Sequence, residues 1–252
     1  MANRFDILFT SSICQFTKTF NFVVTCLVVI IAHYWFNNCF IVNDAYPMIN
    51  HLLSIFFLLF GVLSHQEKTT TIVFYGDSLT AGYGVGTDLA FPALVGEKLV
   101  QAGHDVEVVN SGVSGETSAG GLTRIDWVMG RATDIFILEL GANDGLRGLP
   151  VSETEKNLQA IIDKVKEKYP KVQIVIAGMM VPPNMGPEYS EKFGQIFNRL
   201  AKKNNATLIP FLLDGVAGDS ELNQPDGIHP NVRGHEIVAE TVYSQLVKLF
   251  PS

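Results

Sequence analysis

The run Tyr75-Gly76-Asp77-Ser78-Leu79-Thr80-Ala81-Gly82 places a serine directly after the apolar stretch Thr71-Ile72-Val73-Phe74. A short unbroken apolar stretch followed by glycine predicts a buried β-strand that ends in a tight turn. A serine on such a turn faces the rim of a parallel sheet, where α/β folds bind their ligands. Its hydroxyl is inert near neutral pH until a neighbouring base takes its proton. His229 can be that base. Asp226 precedes it by three residues in Asp226-Gly227-Ile228-His229-Pro230-Asn231, so one turn can carry both. The carboxylate can then hold the second imidazole nitrogen and fix its tautomer. Asn143, in Glu139-Leu140-Gly141-Ala142-Asn143-Asp144, follows another apolar run and offers a side-chain amide to a developing oxyanion. Together these are the parts for attack of a serine on an acyl carbonyl.

Each part has a plainer reading when it stands alone. Asp-x-x-His also starts and caps helices, and Asn-Asp-Gly is a common turn. Their occurrence in order along one chain favours the chemical reading. Asp77 reads as a hydrogen-bonding residue of the serine turn, not as a second base. His33, His51, His65, His104 and His235 have no partner at a telling spacing and read as solvated or packing histidines. The run Gly82–Gly86 lacks Gly-Lys-Ser/Thr and G-x-G-x-x-G, so it is not a nucleotide loop.

The elements that must position these residues alternate from Thr71 onward. Strands are predicted over Ile72–Tyr75, Val106–Val109, Ile135–Leu140, Val172–Ala177 and Thr207–Pro210. Helices are predicted over Phe91–Ala102, Ser118–Met129, Ser152–Tyr169, Glu188–Asn204 and Asn231–Leu249. Ser152 and Glu155 have the spacing of a capping box at the start of the third helix. Glu139 is a polar break in an otherwise apolar strand. Five apolar strands separated by helices predict the α/β class: a five-stranded parallel sheet in a three-layer α/β/α, flavodoxin-like arrangement.

The chain has 252 residues and a formal net charge of −7. Residues 1–66 carry two basic and two acidic side chains, so the negative charge belongs to residues 67–252. An acidic domain without basic clusters excludes nucleic acid as the expected partner. Residues 1–66 hold 10 of the 17 Phe and all three Cys: Cys14, Cys26 and Cys39. No Cys pair has metal or redox spacing. The rest of the chain has no Cys, and its His and carboxylates show no ligand spacing. No metal and no cofactor is expected.

Residues 1–66 form an apolar leader ahead of a catalytic domain over 67–252. Leu52–Leu63 has the length of a secretory-signal core, with Val62 and Ser64 at acceptable positions for cleavage after Ser64. A signal over 48–64 with Met48 as the start would make residues 1–47 upstream sequence. The rival reading is a membrane anchor over Phe20–Phe36, which is short for a span. Export to the periplasm or medium, or anchoring at the membrane, is therefore expected. Membrane contact would come only through an uncleaved leader.

Gly76-Asp77-Ser78-Leu79, Asn110-Ser111-Gly112-Val113-Ser114-Gly115-Glu116-Thr117-Ser118, Glu139–Gly148 and Asp226–Asn231 resemble the four blocks of the SGNH (GDSL) hydrolases. The resemblance covers about Thr71 to Leu249. It is nearest in pattern to the bacterial arylesterase, acyl-CoA thioesterase I and lysophospholipase group. It implies a Ser78–Asp226–His229 triad. It also implies an oxyanion hole made by the backbone of Ser78 and Gly115 and the side chain of Asn143. Gly112 lies in the second block too, but Gly115 aligns better with the family's donor glycine. Gly145–Pro150, with Gly145 and Leu146, resembles a mobile loop beside the acyl site, and Val181 and Pro182 resemble the opposite wall. The implied substrate is a small acyl ester or thioester, a lysophospholipid among them, and the implied state is a monomer. The leader, and Met180 and Met185 at the acyl wall, depart from these relatives. Two other readings remain: a carbohydrate O-acetyl esterase, with Tyr83, Phe91 and Trp127 for sugar stacking, and a non-catalytic, membrane-tethered binding domain.

Overall fold

A computed structural model of the chain describes residues 69–250. Five strands form one sheet: β1 (Thr70–Gly76), β2 (Val106–Gly112), β3 (Ile135–Glu139), β4 (Gln173–Ala177) and β5 (Thr207–Ile209). All neighbours are parallel, in the order β2-β1-β3-β4-β5. This is the flavodoxin-like order, with its switch point between β1 and β3.

The covering helices are α2 (Phe91–Gln101), α3 (Ser118–Val128), α5 (Val151–Lys168), α6 (Pro187–Asn204) and α7 (Val232–Leu246). Two short helices, α1 (Ser78–Ala81) and α4 (Ala142–Leu146), begin at the C-terminal edge of β1 and β3. α2 packs on α7, while α3, α5 and α6 pack side by side. Sequence periodicity explains which faces are buried. Leu158, Ile161, Ile162 and Val165 recur at helical spacing on α5, as do Phe193, Ile196, Phe197 and Leu200 on α6. Covered on both faces, β1 and β3 need no alternation, and Ile72 to Tyr75 and Ile135 to Leu138 are all buried.

The five strands and five long helices stand where the sequence places them, with ends shifted by one to three residues. The closing helix stops at Leu246 and continues as a 3₁₀ turn over Val247–Leu249. The capping box does not form. Pro150 precedes α5, and Ser152 lies inside its first turn. Glu155 instead takes both Arg199 guanidinium bonds, at 2.9 and 2.6 Å. A fixed proline φ starts the helix one residue early, and a bidentate ion pair outcompetes a reach back to the helix end.

The leader 1–66, with its secretory-signal, start-site and anchor readings, lies outside the described residues. No helix among the described residues is long and apolar enough to cross a membrane.

Candidate active site

Ser78 is the first residue of α1, which follows β1 through Gly76 and Asp77. A Cβ on Gly76 would collide with the Thr80 hydroxyl and with Glu139, so the turn needs glycine for close approach. Asp77 caps α1: its Oδ1 accepts the Leu79 N–H at 3.0 Å. Gly82 ends the helix in the left-handed region, at φ 75°. The turn is thus held at both ends, with Ser78 at the sheet rim.

His229 and Asp226 come from the loop before α7. Asp226 Oδ1 accepts the backbone N–H of Ile228 at 2.9 Å and of His229 at 3.0 Å. Its Oδ2 lies 2.7 Å from His229 Nδ1. These bonds, the His229 N–H first, hold the Asp226 carboxyl down at about 2. An ionised Asp226 accepts a hydrogen bond from Nδ1–H, which leaves Nε2 as the basic nitrogen. Nε2 lies 2.9 Å from Ser78 Oγ. Residues 151 positions apart therefore form one chain, Oγ to imidazole to carboxylate.

Asn143 enters from the first turn of α4, across the switch point. Its Nδ2 donates to Asp77 Oδ2 at 3.0 Å, which ties the amide to the serine turn. Gly115 lies on the loop after β2 with φ 79°, and its carbonyl accepts from Arg147 Nη2 at 3.0 Å. Gly112 serves another purpose. Its N–H is engaged by Asn110 Oδ1 at 3.0 Å, and a Cβ there would run into the backbone nitrogen of Ala81. Gly112 lets β2 approach the serine turn, which leaves Gly115 as the better donor candidate.

Gly145 and Leu146, expected in a loop, lie in α4, which meets the loop after β4 beside the site. A Cβ on Gly145 would run into Val181 Cγ1 and come within 2.9 Å of Phe193. Val181 is buried, while Leu146 and Pro182 are exposed. Tyr189 fastens the same corner by donating its hydroxyl to the Leu149 carbonyl at 2.7 Å.

Sequence reasoning missed several supporting residues. Gln224 joins the two halves of the site: its N–H donates to His229 O at 2.7 Å and its Nε2 to Tyr83 O at 2.7 Å. The Tyr83 ring lies 4.6 Å from the His229 ring, centroid to centroid. Buried Asp144 accepts from the backbone and hydroxyl of Ser118, at 2.8 and 2.5 Å, and so ties α4 to the loop carrying Gly115. Apart from Gln224 and His229, which share one loop, these pairs are too far apart in sequence for spacing to betray them. Of the three sugar-stacking candidates, Phe91 is buried against Phe74 and His235, so it cannot meet a ligand. Trp127 is exposed at the C-terminal end of α3, the opposite end from Ser118, which bonds Asp144.

Two carboxyls lie under the serine. Burial pushes Asp77 up to about 6, against the opposing pull of its hydrogen bonds from Leu79 and Asn143. Burial, then the nearby Asp77, pushes Glu139 well above the carboxylate range. Among the described residues no three His, Cys, Asp or Glu side chains gather as a metal site.

The chain is similar to known proteins over this span. The GDSL-like Lipase/Acylhydrolase family matches residues 74–237. An esterase, TesA, of Pseudomonas aeruginosa is 35% identical over 189 residues, covering 75% of this chain and 93% of that protein. An arylesterase of Vibrio mimicus is 36% identical over 197 residues, covering 78% and 96%. The thioesterase 1/protease 1/lysophospholipase L1 of Escherichia coli is 36% identical over 180 residues, covering 71% and 84%. A crystal structure of TesA superposes with a TM-score of 0.68 at 35% identity, covering 72% of this chain and all of that one. AlinE4, an SGNH-hydrolase family esterase, superposes with a TM-score of 0.61 at 37% identity, covering 74% and 100%. The matched span runs from the strand before Ser78 to the helix after His229, and over it this chain belongs to the GDSL-like lipase/acylhydrolase family of SGNH hydrolases.

Proposed function

We propose that the protein hydrolyses acyl esters and thioesters through an acyl-enzyme on Ser78. The carrying observation is the continuous hydrogen-bonded chain from Ser78 Oγ through His229 to Asp226. Ser78 Oγ attacks the acyl carbonyl carbon while His229 Nε2 takes the hydroxyl proton. The carbonyl oxygen gains the negative charge. It receives hydrogen bonds from the N–H groups of Ser78 and Gly115 and from the Asn143 amide. Collapse of the intermediate breaks the C–O or C–S bond, and His229 returns the proton to the leaving alcohol or thiol. Water, deprotonated by His229, then attacks the acyl-enzyme; the Ser78 Oγ–acyl bond breaks, His229 returns the proton to Oγ, and the carboxylic acid leaves. Asp226 stays ionised and holds the imidazole throughout.

Gly145, Leu146, Val181 and Pro182 form the acyl wall, with Met180 and Met185 nearby. The names of the relatives support small acyl esters and thioesters, lysophospholipids included, as substrates. Residues 67–252 are the hydrolase domain, acting as a monomer. Residues 48–64 are a secretory signal that sends it to the periplasm or the medium, as the apolar core Leu52–Leu63 supports. N-terminal sequencing of the native protein tests this, and an N-terminus upstream of Met48 overturns it.

The test of the chemistry is Ser78→Ala, assayed on p-nitrophenyl esters of rising chain length. Loss of the nucleophile lowers kcat by on the order of 10⁶ with the circular dichroism spectrum unchanged. Activity within about tenfold of the parent overturns the assignment. Turnover confined to the acetyl ester would point to O-acetyl esterase chemistry instead.

A further inference from the structure

Glu139 closes β3 in register with Gly76 and is sealed from solvent, at 0% exposure. Its Oε2 accepts the Asp77 N–H at 3.1 Å and the Thr80 hydroxyl at 2.7 Å. Its Oε1 is buried with no hydrogen-bond donor among the described residues. Thus one carboxyl oxygen grips both sides of the serine turn and the other is orphaned. None of the proposed chemical steps uses this residue.

The charged neighbours decide its protonation. Asp77 is the adjacent carboxyl, and His229 lies beyond Asp77. On the α3 side Arg124 donates to the Gly76 and Ser111 carbonyls, but its charge is matched by a bidentate pair with Glu116. On the α4 side Asp144 is held by Ser118 and Thr154. No cation contacts Glu139 among the described residues. A carboxylate without water or counter-ion takes up a proton instead. Two adjacent buried carboxyls do not both ionise. Asp77 has an N–H donor on each oxygen, from Leu79 and Asn143, and these favour its charged form. Glu139 has a vacant oxygen for the proton, and as an acid it can donate to the Asp77 carboxylate beside it.

We propose that Glu139 is a positioning residue that works as a neutral carboxylic acid. It clamps the serine turn through Asp77 N–H and the Thr80 hydroxyl, and it confines the pair's single negative charge to Asp77, which aims the Asn143 amide. The burial that raises its pKa supports this. A second negative charge behind the oxyanion site would oppose the charge that develops there. The inference rests on the roles proposed for Ser78 and Asn143, but its proton can be read without turnover.

The experiment uses full-length protein. Infrared difference spectra at neutral pH, parent minus Glu139→Gln and parent minus Glu139→Met, should each contain the carbonyl stretch of a protonated carboxylic acid. Two variants keep the measurement independent of how one of them folds. Glutamine reproduces the acid, with its carbonyl accepting from Asp77 and Thr80 and its amide donating to Asp77. Glu139→Gln should keep kcat within about threefold of the parent and lose any alkaline inflection due to Glu139, whereas Glu139→Met should lose at least about tenfold in kcat with KM little changed. An ionised Glu139, seen as a carboxylate band in the difference, overturns the proposal. So does a Glu139→Gln variant as impaired as Glu139→Met. Inactive Ser78→Ala with the acid band intact leaves both readings standing. Active Ser78→Ala overturns the nucleophile assignment and with it the positioning role of Glu139, whatever the acid band shows.

Discussion

Asn143 must satisfy two partners with one amide. One Nδ2–H donates to Asp77 Oδ2, and the second is available to an oxyanion. The bond to Asp77 fixes the side chain before substrate arrives, so no reorganisation is needed when charge develops. Asn143→Ala should therefore keep the Ser78–His229–Asp226 chain and lose about 10²–10³ in kcat with little change in KM. Steady-state kinetics on one p-nitrophenyl ester decide it. A rise in KM alone would mean that the amide binds the ground state.

At the scale of elements, local spacing and remote contact separate what could be read from what could not. Asp226 and His229 were legible because three residues and one glycine place both on a single turn. The apolar strands were legible because burial on both faces leaves an unbroken hydrophobic run. The link from Ser78 to His229 spans the whole fold, and the need of a serine for a base, with the order of the blocks, suggested it without any local spacing. Glu139 looked like a defect in β3 because nothing local reveals the serine turn that it holds. The start of α2 is a similar case. Ala90 gives no side-chain cap, and the cap comes from α7, where buried His235 Nδ1 accepts the Phe91 N–H at 3.2 Å.

That contact between α2 and α7 has a measurable pH signature. Burial, and then the charge of His229, push His235 down to about 4. The unfolded chain binds this proton near pH 6.5, and the folded one does not. Above about 6.5 the two states agree. As pH falls from about 6.5 to about 4, the unfolded state gains a proton that the native state refuses, and stability falls by up to about 3 kcal/mol. Asp77, raised rather than lowered, has the opposite slope between its unfolded value and about 6. His235→Gln keeps an acceptor for Phe91 but has no proton to gain. Urea unfolding of both proteins across this range should show the difference in stability shrinking toward acid, with the Asp77 contribution cancelling. Parallel curves would mean that His235 charges inside the fold.

At the scale of the whole molecule, one question is whether the leader shares in folding. The described residues build both sides of the sheet from their own helices, α2 and α7 on one and α3, α5 and α6 on the other, around strands β1 and β3 that are buried throughout. Every residue assigned to the chemistry lies between Ser78 and His229. Residues 1–66 differ in composition: they are rich in Phe and nearly uncharged. Such a segment suits a signal or a membrane, not the outer layer of an acidic domain. Residues 65–252 expressed alone should therefore be soluble. They should unfold at a temperature close to that of the full-length chain in detergent and match its turnover of p-nitrophenyl esters within about twofold, because the described residues supply a core and every residue assigned to the chemistry. A truncated chain that aggregates, or that unfolds cooperatively but turns over no ester, would mean that leader residues pack on the domain. The signal and anchor readings would then both give way to a structural one.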